Sequence, residues 1–128
     1  MTLVEMLEAG RARIADVKDW TIGALARAPD GRKTHPADPN ACQWCGLGAL
    51  VHVVDYSGDV VANDVTRIGA SMLLDEAAGE VTHEALPQAL LHGPRPLPFL
   101  NDGPDGHSRV MKAYDLAIAK AREKEAAT

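Results

Sequence analysis

The sequence predicts a mainly α-helical fold: one compact bundle of about five helices around a buried central helix, with a short strand or extended segment near residues 20–28. Three observations predict it. Alanine occurs 21 times in 128 residues while aromatics number five, and alanine is the best helix former whereas strands favour branched and aromatic residues. Apolar residues recur at spacings of three and four over several stretches, the mark of a helix with one buried face. At 46% hydrophobic and 24% charged, the chain has the apolar content for one core at an ordinary domain length, so residues 1–128 read as one domain.

The elements follow in order. Thr2 with Glu5 three residues on is a capping-box pattern. It opens a first helix with the stripe Leu3, Met6, Leu7, Gly10, Ile14 and Val17, ending at Lys18-Asp19. Residues 20–28 read either as an extended segment or as a helical turn broken at Gly23. Pro29-Asp30-Gly31 is a turn, and Arg32 to Asn40 an exposed loop. The central helix is expected from Pro39 to Val54, with Asp38 as N-cap and apolar residues nearly all round it. Its end, Val51 to Val54, reads equally as a strand. After a turn at Ser57-Gly58, a third helix is expected from Val61 to Ala78, with Val65, Ile68, Met72 and Leu73 inward and Gly79 as C-cap. Thr82 opens a short fourth helix through Leu91. Gly93 to Gly106 holds four of the eight prolines and reads as an ordered connector. The last helix starts at Asp105 or Ser108 and runs to about Glu125 on the stripe Val110, Met111, Tyr114, Ala117, Ile118 and Ala121, with residues 119–128 fraying. Trp20, Trp44 and Phe99 are expected in the core, and Tyr56 and Tyr114 with hydroxyls at a surface or interface.

Composition narrows the function classes. The net charge is −5 with a pI near 5.4, which disfavours direct nucleic-acid binding. No apolar run reaches the ~20 residues a membrane-spanning helix needs. The N-terminal MTLVEMLEAG lacks the basic-then-apolar order of a signal peptide, and two cysteines suit a reducing cytoplasm. Between Thr34 and Pro94, Arg67 is the one basic residue against Asp38, Asp55, Asp59, Asp64, Asp75, Glu76, Glu80 and Glu84. This acidic middle is either a solvated face or a surface that steers a basic partner.

Catalytic templates are sparse. No phosphate-binding glycine loop, nucleophile elbow or zinc-protease motif occurs, and no catalytic residue, cofactor or metal site is assigned. Cys42-Gln-Trp-Cys45 offers half a zinc site, a redox pair, or two packed thiols. Zinc is disfavoured because none of the five histidines lie three to five residues apart. His52, seven residues past Cys45, would lie ~10.5 Å along a helix axis, too far to share one ion. The redox reading lacks the strand–helix alternation it needs, so packed thiols are expected. Asn101, Asp102, Asp105 and His107 form the densest polar group. Turn and cap chemistry explains them most simply.

Trp20, the run Trp44-Cys45-Gly-Leu-Gly48-Ala49-Leu50 and Phe99-Leu-Asn101-Asp102, in this order, resemble an uncharacterised family of small bacterial and phage proteins, a domain of unknown function. Its pattern is an early helix ending near a tryptophan, a WCxxGA helix, and a W/F-x-ND turn before the last helix. Cys42 lies outside that pattern. The resemblance implies a mainly helical structure and a phage or mobile-element origin, and it implies no activity. Cys45, Asn101 and Asp102 are its positions of interest, with an Asn101–Asp102 pair tying the last turn to the central helix as the structural explanation.

The expected function is a small, acidic, non-enzymatic protein-interaction module in a bacterial or phage-infected cytoplasm. It would dock a helical face on a basic-surfaced protein of a host complex or on its own copy as a homodimer. Asn101, Asp102, His107, Cys45, Asp75, Glu76, Glu80 and Glu84 are the interaction or ligand candidates. The alternatives are a ligand-binding protein or enzyme using Asn101-Asp102 with His107 and Cys45, and a virion or assembly component.

Overall fold

The computed structural model describes the backbone of residues 2–55, 60–85 and 96–127, and their side chains except at 54, 55, 60–65, 83–85, 96 and 99. Helix α1 (Leu3–Arg13) is followed by a 3-10 turn (Val17–Asp19) and two-residue strands β1 (Ala26–Arg27), β2 (Lys33–Thr34) and β3 (Gln43–Trp44). Helices α2 (Gly46–Asp55), α3 (Val60–Ala85), α4 (Pro96–Asp102) and α5 (Gly106–Ala126) complete the order. The fold is mainly helical, with a small antiparallel sheet in the order β2-β1-β3.

The capping box forms: Thr2 Oγ1 accepts from Glu5 N at 3.1 Å and Glu5 Oε1 accepts from Thr2 N at 3.1 Å. The helix it opens stops at Arg13, earlier than the periodicity predicts. Ile14 takes the C-cap, and Val17, expected inward, is 59% exposed on the 3-10 turn. Met6, Leu7 and Ile14 do enter the core. The extended segment near 20–28 is real, since β1 falls within it.

The central helix begins seven residues later than expected, at Gly46 rather than Pro39. Residues 42–45 are extended instead, because Cys42 N donates to Arg27 O at 2.9 Å and Cys45 N to Leu25 O at 3.1 Å. Tertiary pairing with β1 outweighs the local helix signal. Asp38 caps no helix. Its Oδ1 accepts from Asn40 N at 2.8 Å, and its Oδ2 takes the Thr34 hydroxyl at 3.0 Å. Residues 51–53 are helical, not a strand.

Helix α3 runs through Gly79 and Thr82, where a cap and a new helix start were expected. An interior glycine costs ~1 kcal/mol of helix propensity, and the buried residues around it, Ala77, Ala78 and Val81, hold the helix through. Thr82 does not cap; its hydroxyl donates to Ala78 O at 2.7 Å. The expected turn at Ser57-Gly58 and residues 86–91 of the expected fourth helix lie outside the described residues, as do Tyr56 and the side chain of Phe99. The proline-rich connector contains a helix, α4. Pro96 and Pro98 stand in its first turn, where a missing N–H breaks no helical bond.

Alanines form the seam of the bundle. Ala70, Ala77 and Ala78 of α3 and Ala113, Ala117 and Ala121 of α5 are fully buried in the two helices that pack most extensively on each other. Small side chains, at four-residue spacing on α5, let the backbones approach closely. Helix α1 packs on α2, α5 and α3, and α2 is flanked also by α4 and β3. The expected stripe of α5 holds, with Val110, Tyr114, Ala117, Ile118 and Ala121 buried and Met111 packed at the core's edge.

Candidate functional site

The polar residues singled out in the sequence converge where the 20–27 segment, the start of α2 and the end of α4 meet. Backbone pairing builds the frame: Thr21 N donates to Trp44 O at 3.0 Å beside a parallel bridge between Trp20 and Trp44. Arg27 secures the loop that follows, donating to Thr21 Oγ1 at 3.0 Å, Ile22 O at 3.0 Å and Gly31 O at 2.8 Å.

Asn101, 1% exposed, is the centre. It lies near the end of a helix, not in a free turn. Its Oδ1 accepts from Trp20 Nε1 at 2.8 Å and from Gly46 N at 2.9 Å. Its Nδ2 donates to Thr21 O at 3.1 Å and to Asp102 Oδ1 at 3.0 Å. The amide is thereby fully used, with two bonds accepted and two donated. Gly46 N belongs to the first turn of α2, where backbone donors lack helical partners, so Asn101 acts as a remote cap for that helix. Asp102 Oδ1 also accepts from Gly23 N at 3.2 Å.

Cys45 sits at the same helix start. Its carbonyl accepts from Ala49 N at 2.9 Å and its Sγ from Gly48 N at 3.3 Å, the bonding pattern of an N-cap. Burial pushes its thiol pKa up, against the smaller lowering effect of the Gly48 and Leu47 N–H groups. A thiol so placed is held in its protonated, weakly nucleophilic form. Tyr114, expected at a surface, is fully buried, and its hydroxyl donates to Gly46 O at 2.6 Å. Burial drives its pKa well above the usual phenol range. The hydroxyl points inward because it satisfies a carbonyl of α2 that would otherwise be dry.

His107 Nε2 donates to Ile14 O at 2.6 Å, and its ring meets Trp20 edge-on at 5.5 Å. It ties the start of α5 to the end of α1. Asp105 takes a left-handed backbone (φ 51°) as the N-cap of α5 and makes no side-chain capping bond. Gly106 follows it because a Cβ there would overlap the Asn101 carbonyl and crowd Trp20. Sequence reading missed a second junction. The Pro36 carbonyl accepts from Trp44 Nε1 at 3.1 Å and from His52 Nδ1 at 2.8 Å, and the two rings lie 4.8 Å apart. No local spacing in the sequence links residues 36, 44 and 52.

The CxxC motif lies on extended chain ahead of α2. Three steps of extended chain set the two Cα atoms ~10 Å apart, beyond disulfide reach, and both thiols are free. Among the described residues no three His, Cys, Asp or Glu side chains converge to hold a metal ion. No helix among them is long and apolar enough to cross a membrane.

The acidic candidates lie elsewhere, on α3. Glu76 and Glu80, one turn apart, both bind Lys120 of α5, at 3.3 and 3.1 Å. These two bonds hold the lysine's pKa above its usual value. Asp75 is half-buried, and the side chain of Glu84 lies outside the described residues. Beside Glu76 the structure departs most from expectation. Ile68 and Met72, expected inward, are 56% and 66% exposed. The core face of α3 is instead Ala70, Leu73, Leu74, Ala77, Ala78 and Val81, centred roughly opposite at ~100° per residue. Val65, the third member of the expected stripe, has its side chain outside the described residues. Met72 borders a groove of about 200 Å³ with Leu3, Gly69, Leu73, Glu76 and Lys124. An adjoining groove of about 360 Å³ has Leu73, Glu76, Lys120, Glu123, Lys124 and Ala127 on its walls. The sequence signal was present: α3 carries two apolar stripes, and one helix in a small bundle buries one.

The chain matches a family of unknown function (DUF6197) over residues 1–120 and belongs to it. No curated protein and no solved structure matches.

Proposed function

We propose that this member of a family of unknown function is a non-enzymatic protein-interaction module that docks through the outer face of α3. The observation that carries this reading is the second apolar stripe of that helix. Ile68 and Met72 face solvent beside a groove lined by Leu3, Gly69 and Leu73, and neither Ile68 nor Met72 belongs to the buried core. Exposed apolar patches with a charged rim are characteristic of interaction sites.

The polar cluster around Asn101 supports the same reading by contrast. The Asn101 amide, the Cys45 thiol and Nε2 of His107 bond to the chain's own backbone and side chains. That arrangement favours a structural role for these residues over the ligand-binding or enzymatic alternative. The acidic stretch is a weaker lure for a basic partner than its charge count implies, since Lys120 occupies Glu76 and Glu80.

The test is a photoreactive residue placed at Met72 in the full chain, with exposed Lys33 of β2 as the control position, irradiated in cells that make the protein. Protein adducts at position 72 and none at 33 are expected. Equal labelling at both positions, or none at 72, would overturn the reading.

A further inference from the structure

Resting on that docking face, we infer that its occupant is a second copy of this chain, the two copies related by a two-fold axis through the outer face of α3. A two-fold contact sets one patch against itself, so the patch must be self-complementary. The apolar centre satisfies this directly, because Ile68 and Met72 lie one turn apart and each offers an aliphatic side chain to the other's counterpart.

The rim satisfies it through charge. The chain as a whole is acidic, at −5, and two acidic surfaces repel. The walls are balanced instead: the groove that Met72 lines has Glu76 against Lys124, and the adjoining groove adds Glu123 against Lys120. Lys120 is engaged within its own chain. Glu123 and Lys124 of the same turn of α5 make no ion pair among the described residues. A rim that presents one unpaired acid next to one unpaired base complements its own two-fold image. A uniformly basic partner would leave Lys124 facing like charge, and a uniformly acidic one would do the same to Glu123. The length of the element suits such a contact: a helix of 26 residues spans ~39 Å, long enough to seat an interface of ~800 Å² per copy.

The experiment is sedimentation of the purified full chain over a micromolar dilution series, with Met72→Asp and Ile68→Asp compared, together with the photoreactive residue at position 72. Expected are a concentration-dependent species of twice the 13.6 kDa chain mass and a self-adduct mapping to α3. Each aspartate variant should weaken association by at least ~30-fold, as for a central anchor, while keeping the native circular dichroism and the unfolding midpoint that the parent shows at dilutions where it is dissociated. A single-chain mass throughout, a larger open-ended oligomer, or a two-chain species unaffected by both variants would overturn the inference. The outcomes separate the two readings. Adducts at position 72 to a different protein, with a single-chain mass, refute the second copy and leave the docking face standing; no adduct of any kind refutes both.

Discussion

Around Asn101 and on the outer face of α3, the same chain treats its side chains in opposite ways. At Asn101 a buried amide makes four hydrogen bonds, a buried phenol caps a carbonyl, and glycines admit backbone where no side chain fits. On α3, two large apolar side chains remain more than half exposed beside an open groove. The first region joins α2, α4, α5 and the small sheet, and its chemistry is consumed internally. In the second, Ile68 and Met72 stand outside the buried core. A residue cluster that looks chemically rich is therefore bonded internally, and a stretch that looks like ordinary core is the surface we propose for a partner.

Substitutions sharpen that contrast, and the largest effects belong to the scaffold. Gly48→Ala sets a Cβ into the Leu25 carbonyl, a backbone overlap that no rotamer relieves. A loss at or beyond the ~3 kcal/mol upper end of ordinary overpacking is expected, read by chemical denaturation. Asn101→Ala strands the Trp20 indole N–H, the Gly46 N–H and the Thr21 carbonyl, and should cost ~3 kcal/mol by the same measurement. A variant at 101 that lost a docking activity while keeping its unfolding midpoint would break the assignment of this region to scaffold.

Tyr114→Phe removes one buried donor from Gly46 O and should cost ~1 kcal/mol at neutral pH. It also tests the pH dependence of the scaffold. Burial raises the pKa values of Cys45 and Tyr114 in the folded chain, so the unfolded chain ionises them first. The native state then holds extra protons, and stability, full below the ordinary thiol range, declines as pH rises through and above it. Denaturation curves from neutral to alkaline pH should show that decline, with a shallower slope in Cys45→Ser, which keeps an N-cap oxygen. An equal slope in both proteins would assign the decline to other groups.

The smallest stability effects belong to the α3 face. Ile68→Asp and Met72→Asp should each leave the unfolding free energy of the dissociated chain within ~0.5 kcal/mol of the parent, as for exposed positions outside the core. Lys120→Ala should shift the midpoint little, and added salt should reduce the ion-pair part of the difference, because the Glu76 and Glu80 side chains are 58% and 50% exposed although that of Lys120 is only 24% exposed.

Much of the helical plan was legible locally. The Thr2–Glu5 capping box, the Met6–Leu7–Ile14 stripe and the Val110–Ala121 stripe carry their own period and start signals, and they stand in the structure as read. What was illegible depended on distant pairing. Residues 39–45 look helical until β1 supplies hydrogen bonds to Cys42 and Cys45. The Pro36 carbonyl that joins Trp44 and His52 has no signature at all. Helix α3 was misread for another reason: its two stripes both fit a core, and only the packing of α5 decides between them. At the polar cluster the sequence identified Asn101, Asp102, His107 and Cys45 together, but whether their groups point at a ligand or at their own backbone is a matter of geometry that spacing does not encode.

The measurement that reaches the central claim most directly is the solution mass of the parent and of Met72→Asp, taken with an unfolding curve on the same samples. The account predicts a two-chain parent that dilutes to single chains, a single-chain variant, and superimposable unfolding of the two under conditions where both are dissociated. A variant that associates like the parent, or one that loses its fold, would contradict the assignment of α3's outer face to docking.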